Sequence, residues 1–174
     1  MLENKTVMSS TTKGLYLGLI VVLLSVLLMV TMTMQQQQKL SWVSFLIIIA
    51  GIIWACIKYA KDMNGNVTFG NVFAHGFKTT AVLTIISILY TILAITIIFP
   101  EMKDQALEIS RQKMEEQGQL SDSDIDKAVD WTGKYFTAFA VGGSLIGYLF
   151  MGAIASLIGA AIAKKNPQAN NPMM

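Results

Sequence analysis

Four stretches of the chain are almost purely apolar, and polar segments separate them. Residues 14–34 (GLYLGLIVVLLSVLLMVTMTM) carry no charge, and about 20 such residues at about 1.5 Å each cross a hydrocarbon layer of about 30 Å. A cleaved leader would have a shorter apolar region, about 7–15 residues, followed by a small-x-small site. This run instead ends in Thr-Met-Thr-Met-Gln and predicts a span, preceded by a polar segment over residues 1–13. Residues 35–39 (QQQQK) read as a very short connection, and residues 40–60 (LSWVSFLIIIAGIIWACIKYA) as a second span antiparallel to the first. Asn64, Gly65 and Asn66 supply a turn that tolerates positive φ. A third span covers at most 72–99 and stops at Pro100. Its length corresponds to about 42 Å of helix, so it tilts or places an end among the headgroups.

Residues 101–130 are hydrophilic, a fourth span covers 133–163, and a polar tail, 164–174, opens on Lys164-Lys165. No internal repeat is visible. The pattern predicts an all-α fold: an integral membrane four-helix bundle with a helical hydrophilic insert between spans three and four. Within the insert, residues 101–117 read as an amphipathic helix. Met102, Ala106, Leu107, Ile109 and Met114 share one side with Lys103 and Lys113. Asp104, Glu108, Arg111 and Glu115 form the opposite strip, with Arg111 at pairing distance from Glu108 and Glu115. The same pattern fits a helix lying on the membrane and a helix capping the bundle.

Composition agrees with a bilayer setting. Of 174 residues, 53% are hydrophobic and 14% charged, against about 25% charged in soluble domains. Nine of the 11 carboxylates lie between Glu101 and Asp130. A net charge of +2 without a dense basic run gives no reason to expect nucleic acid as a partner. The single cysteine, Cys56, has no partner for an internal disulfide and reads as a small apolar helix residue.

With four spans, both termini share a face with the 61–71 loop. That face holds Lys5, Lys13, Lys58, Lys61, Lys164 and Lys165, with Lys78 near it; the other holds Lys39, Lys103, Arg111, Lys113, Lys127 and Lys134. The small excess favours cytoplasmic termini. The sequons at Asn4 and Asn66 then face the cytoplasm. Trp42, Trp131 and Tyr135 fall at the outer boundary, Tyr16 and Tyr59 at the inner one.

Candidate chemistry is sparse. On a wheel of about 100° per residue, Gly76, Thr80, Ser87, Thr91 and Ala94 share one face of span three, with Thr79, Thr84 and Tyr90 at its margins. Thr80, Thr84, Ser87, Tyr90 and Thr91 therefore form either a polar helix-packing face or the wall of a narrow path. The same wheel sets His75 and Lys78 on the far side as interface anchors, with Lys78 snorkelling to the headgroups. Gly143 and Gly147 open one row of small residues in span four, which Ala155, Gly159 and Ala163 continue; Gly152, Ser156 and Ala160 make a second. Such rows specify close helix packing, within the chain or between copies.

Asp122-Ser-Asp124-Ile-Asp126 resembles the start of a calcium loop, but Lys127 and Gly133 stand where its glycine and bidentate glutamate belong. Ser121 or Ser123 as a helix N-cap explains the same residues. No Asp or Glu interrupts any span, which argues against an ion-coupled pump. No P-loop, HExxH, GxSxG or CxxC occurs. The reading is therefore non-enzymatic, with no catalytic residue, cofactor or metal.

The Gly65-Asn-Val-Thr-Phe-Gly-Asn-Val-Phe-Ala-His-Gly-Phe77 stretch, the Pro100-initiated insert PEMKDQALEISRQKMEEQG and the Gly/Ala-rich last span ending in Ala-Lys-Lys165 resemble the small bacterial membrane proteins classed as domain of unknown function 4199. The resemblance covers nearly the whole chain. It implies a protein of the bacterial inner membrane, with no activity attached. Two functional classes follow. One is a structural or interaction protein that meets the lipid bilayer and a membrane-protein partner or second copy through its Gly/Ala rows or insert. The other is a small oligomeric transporter or channel that uses the Thr/Ser face.

Overall fold

The computed structural model describes residues 7–166, and the backbone alone at Met34, Gln35, Gln38 and Ser41. The sequon at Asn4 and the end of the polar tail (167–174) lie outside the described residues. Within them the chain is helical and has no strand: α1 (Ser10–Thr31), α2 (Met34–Asp62), α3 (Phe69–Leu93), α4 (Met102–Gln117), α5 (Asp122–Lys134) and α6 (Phe136–Ile162). A π turn, Ala94–Ile98, extends α3. Four segments are long and apolar enough to cross a membrane: Ser10–Thr31, Trp42–Asp62, Phe69–Ile98 and Phe136–Ile162.

Hydroxyl caps set several of the helix starts. Ser9 accepts from the Thr12 amide at 3.0 Å and begins α1 at Ser10 rather than at the edge of the apolar run. Thr33 and Gln36 form a reciprocal capping box, so the glutamines belong to the first turn of α2. The connection between the first two spans is therefore shorter than the polar run suggests. Thr68 caps α3 and Ser121 caps α5 in the same way. Asn64 (φ 51°) and Gly65 (φ 76°) reverse the chain after α2, and the Gly65 amide returns to the Ala60 carbonyl at 2.8 Å. At the far end of α3, Pro100 ends the helix, and the Phe99 amide reaches back to the Ala94 carbonyl at 2.7 Å.

α3 packs on α1, α2 and α6, and α2 packs on α6. α2 and α3 thus form the short diagonal of the bundle, with α1 and α6 at opposite corners. One apolar cluster joins Val21, Ile48, Ile52, Leu83 and Ala155 midway along; another joins Cys56, Ala60, Val72 and Ala160 near the end that carries the termini. Cys56 is wedged between two glycines: a Cβ at Gly159 would stand 2.7 Å from the Cys56 Cβ, and one at Gly76 would strike its sulfur.

The insert is a helical hairpin. Gly118 (φ 62°) closes α4, and α5 folds back on it. Ile125 is 2% exposed between them. Arg111 crosses to Asp126 at 2.5 Å and also lies 3.9 Å from Glu115. The hydrogen bond to Asp126, reinforced by its charge, holds the guanidinium pKa above its ordinary value. Asp126, not Glu108, is the partner that sequence spacing within α4 does not reveal. Ile125→Ala should cost the hairpin about 2–5 kcal/mol. Hydrogen exchange of amides 102–134 should then accelerate at least about 30-fold, while α3 amides keep their protection. Equal acceleration in α3 would mean that the hairpin and bundle unfold together.

Candidate functional site

The first turn of α1 brings Lys13 to α3, and Gly14 sets how closely the two helices approach. A Cβ at Gly14 would stand 2.7 Å from both the Thr79 carbonyl oxygen and the Val82 Cβ. Lys13 is 1% exposed. Its Nζ donates to the Ala55 carbonyl at 3.2 Å and lies 3.2 Å from His75 Nε2. It also sits 5.9 Å from the centroid of the Tyr59 ring. Tyr59 stacks on His75 with centroids 4.1 Å apart and planes 9° from parallel. Three helices therefore converge on one ammonium group.

With Lys13 as an ammonium, the contact sets the imidazole's tautomer. An ammonium can only donate, so Nε2 presents its lone pair and the imidazole is neutral, with its proton on Nδ1. The three N–H directions of Lys13 are answered by a carbonyl, an imidazole nitrogen and an aromatic face. The C-terminal turns of α2 add the negative end of that helix's dipole. The nearby carboxylate, Asp62, is engaged by Lys58 at 2.7 Å. The site is a carboxylate-free clasp for one positive charge.

This arrangement differs from the sequence expectation for His75, which is 8% exposed and points into the bundle. On the wheel His75 lies only about 40° from Thr79, so the α1–α2 side of α3 takes it in. Lys78, one turn on, is exposed on the outer surface. Tyr59 is half-buried, with its ring against His75. Sequence reasoning missed Lys13 by placing it in a polar leader. The signal was Ser9-Ser-Thr-Thr12, a run of N-cap residues that extends α1 back across the lysine.

The Thr/Ser face divides into two parts. Thr80, Thr84 and Ser87 are buried. Thr79 and Thr80 donate to the carbonyls of His75 (2.9 Å) and Gly76 (3.1 Å), one turn earlier. Gly152 of α6 lies against the Thr80 side chain so closely that a Cβ there would collide with it. Among the described residues, Thr84 Oγ1 and Ser156 Oγ are buried without a hydrogen-bond partner. The Ser87 hydroxyl has no hydrogen-bond partner at ordinary distance among the described residues, and the Tyr148 hydroxyl lies close to it. Further along, Tyr90 and Thr91 line a cavity of about 300 Å³ with Ser25, Gln37, Ala94 and Tyr148. There Thr91 donates to the Ser87 carbonyl at 2.9 Å, and the Tyr90 hydroxyl approaches Met29 Sδ at 3.9 Å.

The small-residue rows also divide. Gly152 and Gly159 are contact points, whereas added Cβ atoms at Gly143 and Gly147 would meet nothing within 4 Å. The expectation of close packing at Gly143 and Gly147 is not met within this chain.

No curated protein and no solved structure matches the chain. A family model described as a protein of unknown function (DUF4199) matches residues 12–165, so the chain belongs to that family.

Proposed function

We propose that the chain is a non-enzymatic, multi-pass protein of a bacterial inner membrane whose hairpin engages a second membrane component with a basic surface. The observation that carries this reading is the α4–α5 hairpin, which closes on its own contacts through Ile125 and the Arg111–Asp126 pair. Between residues 101 and 130 it holds nine carboxylates against four basic residues, a net charge of −5. Such a surface steers and selects a positively charged partner. The count of lysine plus arginine, seven against six by face, supports cytoplasmic termini and an extracytoplasmic hairpin. The open Gly143/Gly147 row leaves room on α6 for a helix of a second copy or a partner.

The expected result is co-purification of one stoichiometric partner, lost when residues 101–130 are deleted and weakened by raised salt. Recovery of the partner with the deleted chain would reject the reading.

One observation favours a second reading, a small oligomeric transporter or channel: the cavity at Tyr90 and Thr91 meets the Thr/Ser face. Solute uptake into proteoliposomes, abolished by Thr80→Val or Ser87→Ala, is its signature. Its absence, with a partner recovered, leaves the interaction reading.

A further inference from the structure

At the end of the bundle that carries the termini, the last turns of α2 and α6 enclose a hollow of about 530 Å³. Lys61, Lys164 and Lys165 line it with Asn64, and Ile57 and Ile162 form its apolar part; no carboxylate is among the lining residues. The three lysines are not equivalent. Lys165 donates to the Ala160 carbonyl and lies 5.5 Å from the centroid of Phe69. It is committed to capping α6. Lys61 and Lys164 are exposed, and among the described residues neither forms an ion pair. Asp62, the nearest acid in sequence, is held by Lys58.

Two helix C-termini would ordinarily repel an anion. Here several of their carbonyls are answered internally, those of Tyr59, Ala60 and Lys61 in α2 and of Gly159 and Ala160 in α6. The Gly65 amide caps Ala60, the Ala163 amide bonds Gly159 at 3.0 Å, and the Asn166 amide bonds Gly65 at 2.8 Å. Two uncommitted ammonium groups therefore dominate the field in the hollow.

We propose that this hollow is a binding site for an anionic glycerophospholipid. Lys61 and Lys164 bracket the headgroup phosphate, and the acyl chains run past Ile57 and Ile162 onto the exposed apolar surface of the two helices. Two features of the structure select this occupant. The lining is positive without a counter-acid, and the same two helices carry exposed apolar side chains next to it, Trp54, Ile158 and Ile162. Basic pockets between spans at this depth recognise such headgroups, each lysine contributing about fivefold in affinity.

The test uses the purified full-length protein in detergent, with phosphatidylglycerol and phosphatidylcholine added in equal amounts and bound lipid counted by native mass spectrometry. Phosphatidylglycerol should be retained roughly 25-fold in preference. Lys61→Gln/Lys164→Gln should bring its retention down to that of phosphatidylcholine. Lys39→Gln/Lys103→Gln, which removes the same charge elsewhere, should leave the preference intact. Should the first double variant fail to fold, the single variants decide: each loses about fivefold, and unchanged preference in both rejects the site. Equal retention of the two lipids also rejects it. Displacement of the bound phosphatidylglycerol by millimolar inorganic phosphate would make this a free-phosphate site and overturn the lipid assignment.

Discussion

Gly152→Leu should leave little folded protein, and Gly152→Ala should lower stability by about 1–3 kcal/mol. The cause is local. The Thr80 Cγ2, Oγ1 and Cβ atoms occupy the space a Cβ at Gly152 needs, and Thr80 is fully buried. Relief requires α3 and α6 to move apart along their whole contact, because Gly76 and Gly159 are closed by Cys56 on the same side of the bundle. Thr80→Ala removes two of the three obstructing atoms and should partly rescue Gly152→Ala. The control lies on the same helix. Gly143→Ala and Gly147→Ala meet nothing and should be neutral, or stabilising by up to about 1 kcal/mol through helix propensity. Denaturant titration in detergent, followed by near-ultraviolet circular dichroism, separates the two groups. A Gly152→Ala transition as late as that of Gly147→Ala would reject close packing as the role of this row.

His75→Ala should cost more than Lys13→Met, although both break the same 3.2 Å contact. Removing the imidazole leaves a buried ammonium with one carbonyl and a ring face, a penalty on the order of 3 kcal/mol or more. Removing the ammonium leaves only an unsatisfied neutral nitrogen, about 1–3 kcal/mol. Lys13→Met/His75→Phe keeps an aromatic ring against Tyr59 and buries neither charge nor lone pair. It should be less damaging than the sum of Lys13→Met and His75→Phe, each made alone, by about 0.5–3 kcal/mol, the range of coupled contacts. Thermal unfolding of the four proteins measures this coupling. A coupling near zero would show that Lys13 and His75 do not act on each other.

Much of this architecture is legible in the sequence because the bilayer imposes it. Apolar runs of sufficient length, the Asn64-Gly65 turn and Pro100 locate four spans and an insert from composition and backbone chemistry alone. Helix ends are less legible, because hydroxyls decide them: Ser9 and Thr33 pull α1 and α2 back into polar sequence. The clasp was hidden for the same reason. A lysine outside the apolar run looks like an anchor until its helix is known to begin three residues earlier. The wheel found the Thr80–Ser87 face, yet gave no means of telling which small residues on α6 answer it. Gly152 and Gly147 are alike in sequence and differ only in what stands opposite.

The Lys13–His75 contact joins residues 62 positions apart, which imposes an order of events during synthesis. At about 5–20 residues per second, the histidine is made roughly 3–12 seconds after the lysine. Throughout that interval α1 has a lysine on its first turn and no imidazole to receive it, so the ammonium remains at the headgroups by snorkelling. Entry of α1 into the bilayer and burial of its charge are then separate events, and the second waits for α3. The ammonium leaves water only as the helix that brings its acceptor docks.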